Sequence, residues 1–294
     1  MRATTVRAAQ ASVTVAALLS VAKLFAAWVT GSVAMLGSLV DSGLDLVASL
    51  SLLYGIHRAA EPPDSEHRFG HGKAEALAAL LQVMLIGVSA LGIAIQAIRQ
   101  IATGAGSAAA PAGIAVSLLA IALTFVLVVY QRRVIAASGS LAIKTDNIHY
   151  SSDLALNLAV IAALALDQYA GIRGADALFG LAIAAWLGWS AWSASAKAID
   201  QLMDREWPDA KRQQFLKVAA QHPELRGIHE LRTRTSGNRD FVQFHVWVDG
   251  QMTLATAHRI MDEVEERLMR EFPDTDILIH PDPEGHQDAP LDHK

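Results

Sequence analysis

Asp41 and Asp45 are four residues apart, as are His149 and Asp153, and both pairs sit inside otherwise apolar stretches. On a helix that separation puts the two side chains of a pair on one face. An ionisable group at membrane depth costs about 2.5–3.5 kcal/mol on insertion scales, so such groups are rarely there without use. Three carboxylates gathered in one place also repel one another and resist ionising. A divalent cation resolves both difficulties, because it satisfies several buried anions at once. Three oxygens and one imidazole suit a four-coordinate borderline ion, and Zn²⁺ fits best. Mg²⁺ and Ca²⁺ want six or more oxygens. Polar residues merely hydrogen-bonded between helices would account for one Asp more readily than for two such pairs on separate segments.

The elements that must hold these pairs are membrane spans. Of the 294 residues, 52% are hydrophobic and 18% charged, with a mean hydropathy of +0.30. Soluble domains carry about 25% charged residues, so the balance leans towards a membrane protein. Crossing the hydrocarbon core takes about 20 mostly apolar residues. Stretches of that kind occur at roughly 10–30, 33–56, 76–98, 112–131, 147–166 and 176–196, which predicts six spans. The second is interrupted by Asp41 and Asp45, the fifth by His149, Ser151, Ser152 and Asp153. Arg2 and Arg7 precede a run too long for a signal peptide's apolar core, so that run reads as a first span. Arg58, Arg68, Lys73, Arg132, Arg133 and Lys144 fall in one set of loops, while the opposite set holds Arg99 and Arg173. The positive-inside rule then places both termini in the cytoplasm.

The last third has another character. Residues 204–294 carry a net charge of −6 and seven of the 11 His, against a net of +1 for residues 1–203. A helical stretch at 209–221 precedes an alternating strand at 227–235, a turn at 236–239 and a second strand from Phe241 to Val248. Leu254, Met261, Val264, Leu268 and Phe272 recur at helical spacing, and Ile277 to His280 supply a third strand. The fold class expected is therefore an α-helical membrane protein, six transmembrane helices followed by a small α+β (αββαβ) cytoplasmic domain. Its boundaries fall at 1–203, 204–284 and a disordered tail 285–294. There is no Cys, which excludes disulfides, Cys-based zinc fingers and thiol catalysis.

Several segments together resemble the cation diffusion facilitators, in the bacterial zinc and ferrous-iron efflux branch. They are Gly31-Ser32-Val33-Ala34-Met35-Leu36 with Asp41-Ser42-Gly43-Leu44-Asp45, and His149-Tyr150-Ser151-Ser152-Asp153. The loop Asp64-Ser65-Glu66-His67-Arg68-Phe69-Gly70-His71-Gly72-Lys73 is similar to that family's second signature. Gly227-Ile228-His229, Gln243-Phe244-His245 and Ile279-His280-Pro281-Asp282 resemble its cytoplasmic metal-binding domain. The resemblance runs over nearly the whole chain. It implies a homodimer in the bacterial inner membrane that exports Zn²⁺, or Fe²⁺, Cd²⁺ or Co²⁺, in exchange for protons by alternating access. Zn²⁺ would then be both substrate and regulatory ligand, the lipid bilayer the setting, and no nucleic acid a partner.

The same resemblance implies accessory sites. Asp64, His67 and His71 are spaced three and four apart and would clip one metal in the short loop after the second span. His229, His245, His280 and Asp282 would be ligands in the tail, with His258 a supporting residue and Pro281 standing where a polar side chain is expected. Lys73 and Asp204 match positions that pair and lock the dimer. His57, His222, His286 and His293 fit no pattern, and Trp186, Trp189 and Trp192 read as packing and interface anchors.

Other classes fit less well, and the chain is not expected to be an enzyme. An intramembrane metalloprotease needs His-Glu-x-x-His, and His229-Glu230-Leu231-Arg232-Thr233 lacks the second His. A channel wants weak, multi-oxygen sites that release quickly. A membrane-anchored zinc sensor without transport would keep the tail ligands and have no use for Asp41 or Asp153 in the membrane.

Overall fold

The computed structural model describes residues 2–30, 33–103, 113–170, 174–221 and 227–285. The chain divides into two compact units, residues 1–199 and 200–294, each described by itself. The expected tail beyond Gly285, with His286 and His293, lies outside the described residues, as do His222, Arg173 and the Gly31-Ser32 start of the first motif.

Among the described residues, six long helices build the first unit: α1 (Arg2–Thr30), α2 (Val33–Ala59), α3 (Lys73–Thr103), α4 (Gly113–Ser138), α5 (Leu141–Ala170) and α6 (Ala175–Leu202). Among the described residues, five of them are long and apolar enough to cross a membrane. The other is α5, whose 30 residues give ample length and which carries Asn147, His149, Asp153 and Asn157.

Packing in this unit is inverted relative to a soluble bundle. Large apolar side chains such as Leu24, Phe25 and Trp28 on α1, and Val40, Leu44 and Val47 on α2, face outwards. Small ones such as Ala8, Ala9, Ser12 and Ala16 on α1 and Ala48 and Ser49 on α2 face inwards. In lipid there is no hydrophobic gain from hiding Leu, so helices associate through small residues that allow close approach. Gly55 is the extreme case: a Cβ there would lie 2.4 Å from the Cβ of Ala78 on α3.

The second unit contains α7 (Asp209–Ala219), β1 (Ile228–Ser236), β2 (Arg239–Val248), α8 (Leu254–Glu271) and β3 (Thr275–Pro283). The strands lie in the order β1-β2-β3. β1 and β2 pair antiparallel through the tight turn at Gly237, and β2 and β3 pair in parallel, as a connection through a helix allows. Along β2, Val242, Phe244, Val246 and Val248 are buried against Phe215 of α7, Ile260, Val264 and Leu268 of α8, and Phe272. The alternate residues, Gln243, His245 and Trp247, belong to the opposite face of the sheet. Thr253 caps α8 by accepting the Thr256 N–H at 3.2 Å.

Candidate metal centres

Asp45, His149 and Asp153 each offer one ligand atom, and these atoms lie within 4.8 Å of one another. His149 Nε2 is 2.9 Å from Asp45 Oδ1 and 3.7 Å from Asp153 Oδ2. The pair on α5 meets through its i,i+4 spacing, while Asp45 reaches across from α2. That crossing is pinned one turn along from Asp45, where the Tyr150 hydroxyl and Ser49 Oγ are 2.9 Å apart. Tyr150 is buried, and its hydroxyl also donates to the Ser12 carbonyl of α1 at 3.3 Å. Asp41, one turn before Asp45, is exposed and stands outside this cluster.

A positive side chain near the site was not anticipated from sequence. Lys23, two turns before the C-terminal end of α1, donates to Ser42 Oγ at 2.6 Å and to the Ser38 carbonyl at 3.3 Å. It ties α1 to the acidic turn of α2, and its charge acts on Asp153. A lone Lys in an apolar run looks like a helix-end residue until the helices are packed.

A second omission is a polar cluster around Asp146. Its carboxylate is wholly buried and accepts from Ser12 Oγ at 2.6 Å, Gln131 Nε2 at 2.7 Å and Gln82 Nε2 at 3.4 Å. Asn147 joins by donating to Gln131 Oε1 at 3.1 Å. The sequence did carry a signal, since Asp146, His149 and Asp153 extend one polar face of α5 at helical spacing.

The loop between α2 and α3 brings Asp64, His67 and His71 together as expected from their spacing. The segment is a set of turns and not a helix. Asp64 Oδ1 accepts the backbone N–H groups of His67 at 2.6 Å and Glu66 at 2.9 Å. Gly70, at φ +80°, turns the chain back, with its N–H on the His67 carbonyl at 2.9 Å. Asp64 carboxylate oxygens then lie 3.3 Å from His67 Nδ1 and 3.3 Å from His71 Nε2. The His67 backbone bond, with the Glu66 bond and the two imidazoles, holds the Asp64 carboxyl below its ordinary 3.8 against the opposing effect of desolvation. His71 is buried, and neither of its ring nitrogens has a well-aligned hydrogen bond. Its Nε2 is near Asp64 in distance but misaligned, which suits a nitrogen that ligates an ion better than one that donates.

In the tail unit, strand register does the assembling. His229 is paired with His245, and His245 with His280, so three imidazoles form one row across β1, β2 and β3. Asp282 lies in register with Trp247, two residues further along, on the same face. Its Oδ2 is 2.8 Å from His245 Nδ1 and 3.2 Å from His229 Nε2, and its Oδ1 is 3.2 Å from His280 Nε2. Burial works against the Asp282 charge, but the His245 hydrogen bond, the His280 and His245 charges and the His229 bond outweigh it, and the carboxyl falls below 3.8. A bulge between His229 and Arg232, with Glu230 at φ +48°, interrupts the ladder beside the cluster. His258 stands apart: it is 76% exposed on α8 and paired with Asp262 at 3.2 Å. Pro281 follows His280 on β3 with its side chain on the other face, so it leaves the row intact.

Lys73 opens α3 and belongs to the first unit, whereas Asp204 belongs to the second. Asp204 accepts from Arg234 Nη1 at 3.5 Å.

The arrangement of a helical domain followed by a His-rich α+β domain has clear relatives. The cation efflux transmembrane domain matches residues 9–203, and the cytoplasmic domain of cation efflux proteins matches residues 207–284. The chain belongs to the cation diffusion facilitator family. The cation-efflux pump FieF of Cronobacter sakazakii is 44% identical over 277 residues, covering 94% of this chain and 92% of that protein. FieF of Klebsiella pneumoniae is 42% identical over 277 residues, again covering 94% and 92%. Among solved structures, the zinc form of CzrB is 31% identical with a TM-score of 0.27, covering 29% of this chain and 99% of that one. This facilitator is thus a multi-pass membrane protein of a family that moves divalent metal cations out.

Proposed function

We propose that this facilitator exports zinc in exchange for protons, as a homodimer in a bacterial inner membrane with both termini in the cytoplasm. Transport proceeds by alternating access around Asp41, Asp45, His149 and Asp153. The observation that carries this reading is the placing of His149 Nε2 between the carboxylates of Asp45 and Asp153, at 2.9 and 3.7 Å. That one atom either bears a proton shared with Asp45 or offers its lone pair to a metal. Proton and metal therefore exclude one another at the same nitrogen, which is the chemistry an antiporter needs.

Two carboxylates and an imidazole leave a position open on a tetrahedral ion, and Asp41, a turn from Asp45, is the group available to close it. An O/N donor set without thiolate favours zinc over softer ions, and Fe²⁺, Cd²⁺ and Co²⁺ remain substrates of lower rank. Facing the cytoplasm, the imidazole is deprotonated and takes metal. Facing a more acidic exterior, protons compete for the same groups and the metal leaves.

The loop and tail clusters are regulatory zinc sites in this reading. Asp64, His67 and His71 would hold one ion in the loop. His229, His245, His280 and Asp282 would hold zinc on the face of the sheet opposite the helices. Exposed Leu278 lies on that same face, and an open sheet face of this kind suits a second copy of the domain. Lys73 and Asp204 lock the dimer, on the strength of the family pattern.

The test is zinc flux into proteoliposomes with and without a pH gradient, for wild type and Asp45→Ala. Gradient-driven flux lost in the variant supports the proposal. Zinc binding at the tail with no flux in the wild type would make the chain a sensor, and flux indifferent to both gradient and mutation would sink the antiport reading.

A further inference from the structure

Asp146 lies on α5 three residues before His149 and outside the ligand set. Its buried carboxylate is met by neutral donors, one from each of three helices: Ser12 of α1, Gln82 of α3 and Gln131 of α4. The charged and titratable groups that act on it are His149 and Tyr150 of its own helix and Asp45 of α2. Glu75 of α3 is engaged elsewhere, accepting from Ser140 Oγ at 2.5 Å. Lys144 of α5 faces Lys197 of α6.

The hydrogen bonds around Asp146 serve either protonation state. With the carboxylate ionised, Oδ2 accepts the Ser12 hydroxyl at 2.6 Å and the Gln131 amide at 2.7 Å. With the carboxyl protonated, Oδ2 donates to Ser12 Oγ, whose own hydrogen turns to the Ala8 carbonyl at 3.2 Å. The Gln131 amide lies 3.0 Å from Ser12 Oγ and 2.7 Å from Oδ2, so its two hydrogens reach both. Rotation of one hydroxyl is the whole rearrangement, and none of these buried polar atoms is stranded in either form.

We propose that Asp146 is a second proton site of the exchange, emptied when metal enters the site formed with His149 and refilled when it leaves. This rests on the antiport reading above. The sign follows from charge. Three residues of helix rise by about 4.5 Å, so the two sites are close enough to feel each other in a low dielectric. A dication at the ligand site adds more positive charge than the proton it displaces from His149. That excess favours the ionised form of Asp146 and drives its proton off. Loss of the metal reverses the bias.

The experiment counts protons released as Zn²⁺ binds to the full-length protein in lipid nanodiscs, using a pH-indicating dye in weak buffer. Asp64→Ala and Asp282→Ala silence the loop and tail sites in every sample. Asp146→Asn keeps the shape and the bond to Ser12 but has no proton to give. It is expected to release up to about one proton fewer per zinc, and to flatten the pH dependence of zinc affinity by up to about tenfold per pH unit. If the wild type releases protons and Asp146→Asn releases as many with the same pH dependence, the proposal for Asp146 is overturned while antiport stands. If the wild type releases none, the antiport reading itself fails. Should Asp146→Asn not assemble, infrared spectra of an Asp41→Asn, Asp45→Asn, Asp153→Asn variant decide the matter. A buried carboxyl band that still titrates supports Asp146, and its absence overturns the proposal.

Discussion

Replacing Asp45 by Asn leaves the shape of the transmembrane site nearly unchanged and removes one negative charge from beside His149. Its effect can be worked from two distances. At an effective dielectric of about 20, the one unit of positive charge that a dication adds over the proton it displaces from His149 is attracted by about 6 kcal/mol to a carboxylate 2.9 Å away, and by about 4–5 kcal/mol at the 3.7 Å of Asp153. The two carboxylates are thus comparable, and neither can stand in for the other. Desolvation cancels most of this gross attraction, and a charge-assisted bond retains about 1.5–3 kcal/mol. At about 1.4 kcal/mol per decade, Asp45→Asn is expected to weaken zinc binding at this site by about 10–150-fold. Asp153→Asn should fall at the lower end of that range. Asp41→Asn should lose less than Asp45→Asn, because Asp41 has to move in to ligate and part of what it gains offsets that movement. The assay is zinc titration of the nanodisc protein with the loop and tail ligands silenced as above, followed by flux in proteoliposomes. An Asp45→Asn protein that binds zinc within about threefold of the parent, or one less affected than Asp41→Asn, would refute the reasoning.

The other expectations concern the accessory sites and the packing. Asp282→Asn should abolish zinc binding in the tail, since this one carboxylate contacts His229, His245 and His280, whereas His258→Ala should leave it within about twofold, as an exposed side chain contributes little; zinc titration of both variants with the other sites silenced checks this. Because the folded Asp282 carboxyl is held below its ordinary 3.8, its contribution to stability should be complete above about pH 4 and vanish as pH falls through its folded value; acid unfolding of wild type against Asp282→Asn, followed by circular dichroism, reads the difference. Phe215→Ala, which empties the ring position packed on Phe244 and Phe272, should destabilise the tail domain by about 3–5 kcal/mol in a denaturant titration. Gly55→Leu should separate α2 from α3 at the Ala78 contact and lower both folded yield and flux.

The transmembrane architecture was legible because apolar runs of about 20 residues rarely form anything but membrane spans, and the tail's αββαβ order because period-2 and helical patterns alternate cleanly along it. Asp45, His149 and Asp153, which the structure brings within 4.8 Å of one another, could be singled out as candidates for a different reason: charge is so costly at membrane depth that its presence is informative by itself. That argument gives a set of residues but no crossing angle, so it could not separate Asp41, which is exposed and outside the cluster, from Asp45, which reaches His149 on α5. The Asp146 cluster escaped because Ser12, Gln82 and Gln131 are unremarkable singly, and only packing of α1, α3, α4 and α5 makes them one group. In the tail, the three His could be assigned to three strands, but their row depends on register. The bulge after His229, with Glu230 in the left-handed region, is where pattern alone gives no guide to it.

The three clusters place their side chains by three different devices, and the devices match the roles proposed for each. In the loop, Asp64 is fixed by two backbone N–H groups and a glycine turn, so that site is set by local chain geometry. In the tail, the candidate side chains ride on a hydrogen-bonded sheet whose register fixes their spacing. The transmembrane site alone is divided between two helices that nothing covalent holds in line, joined near the site by the Ser49–Tyr150 bond. A site that must bind, carry and release needs its ligands on elements that can part. A sliding or rotation of α2 against α5, on the order of the 1–2 Å helix shifts that packed interfaces allow, would separate Asp45 from His149 and Asp153, while the other two clusters would survive it intact. Locking that contact, by a cross-link between engineered cysteines in this Cys-free chain, should therefore stop zinc flux while zinc binding at the loop and tail persists.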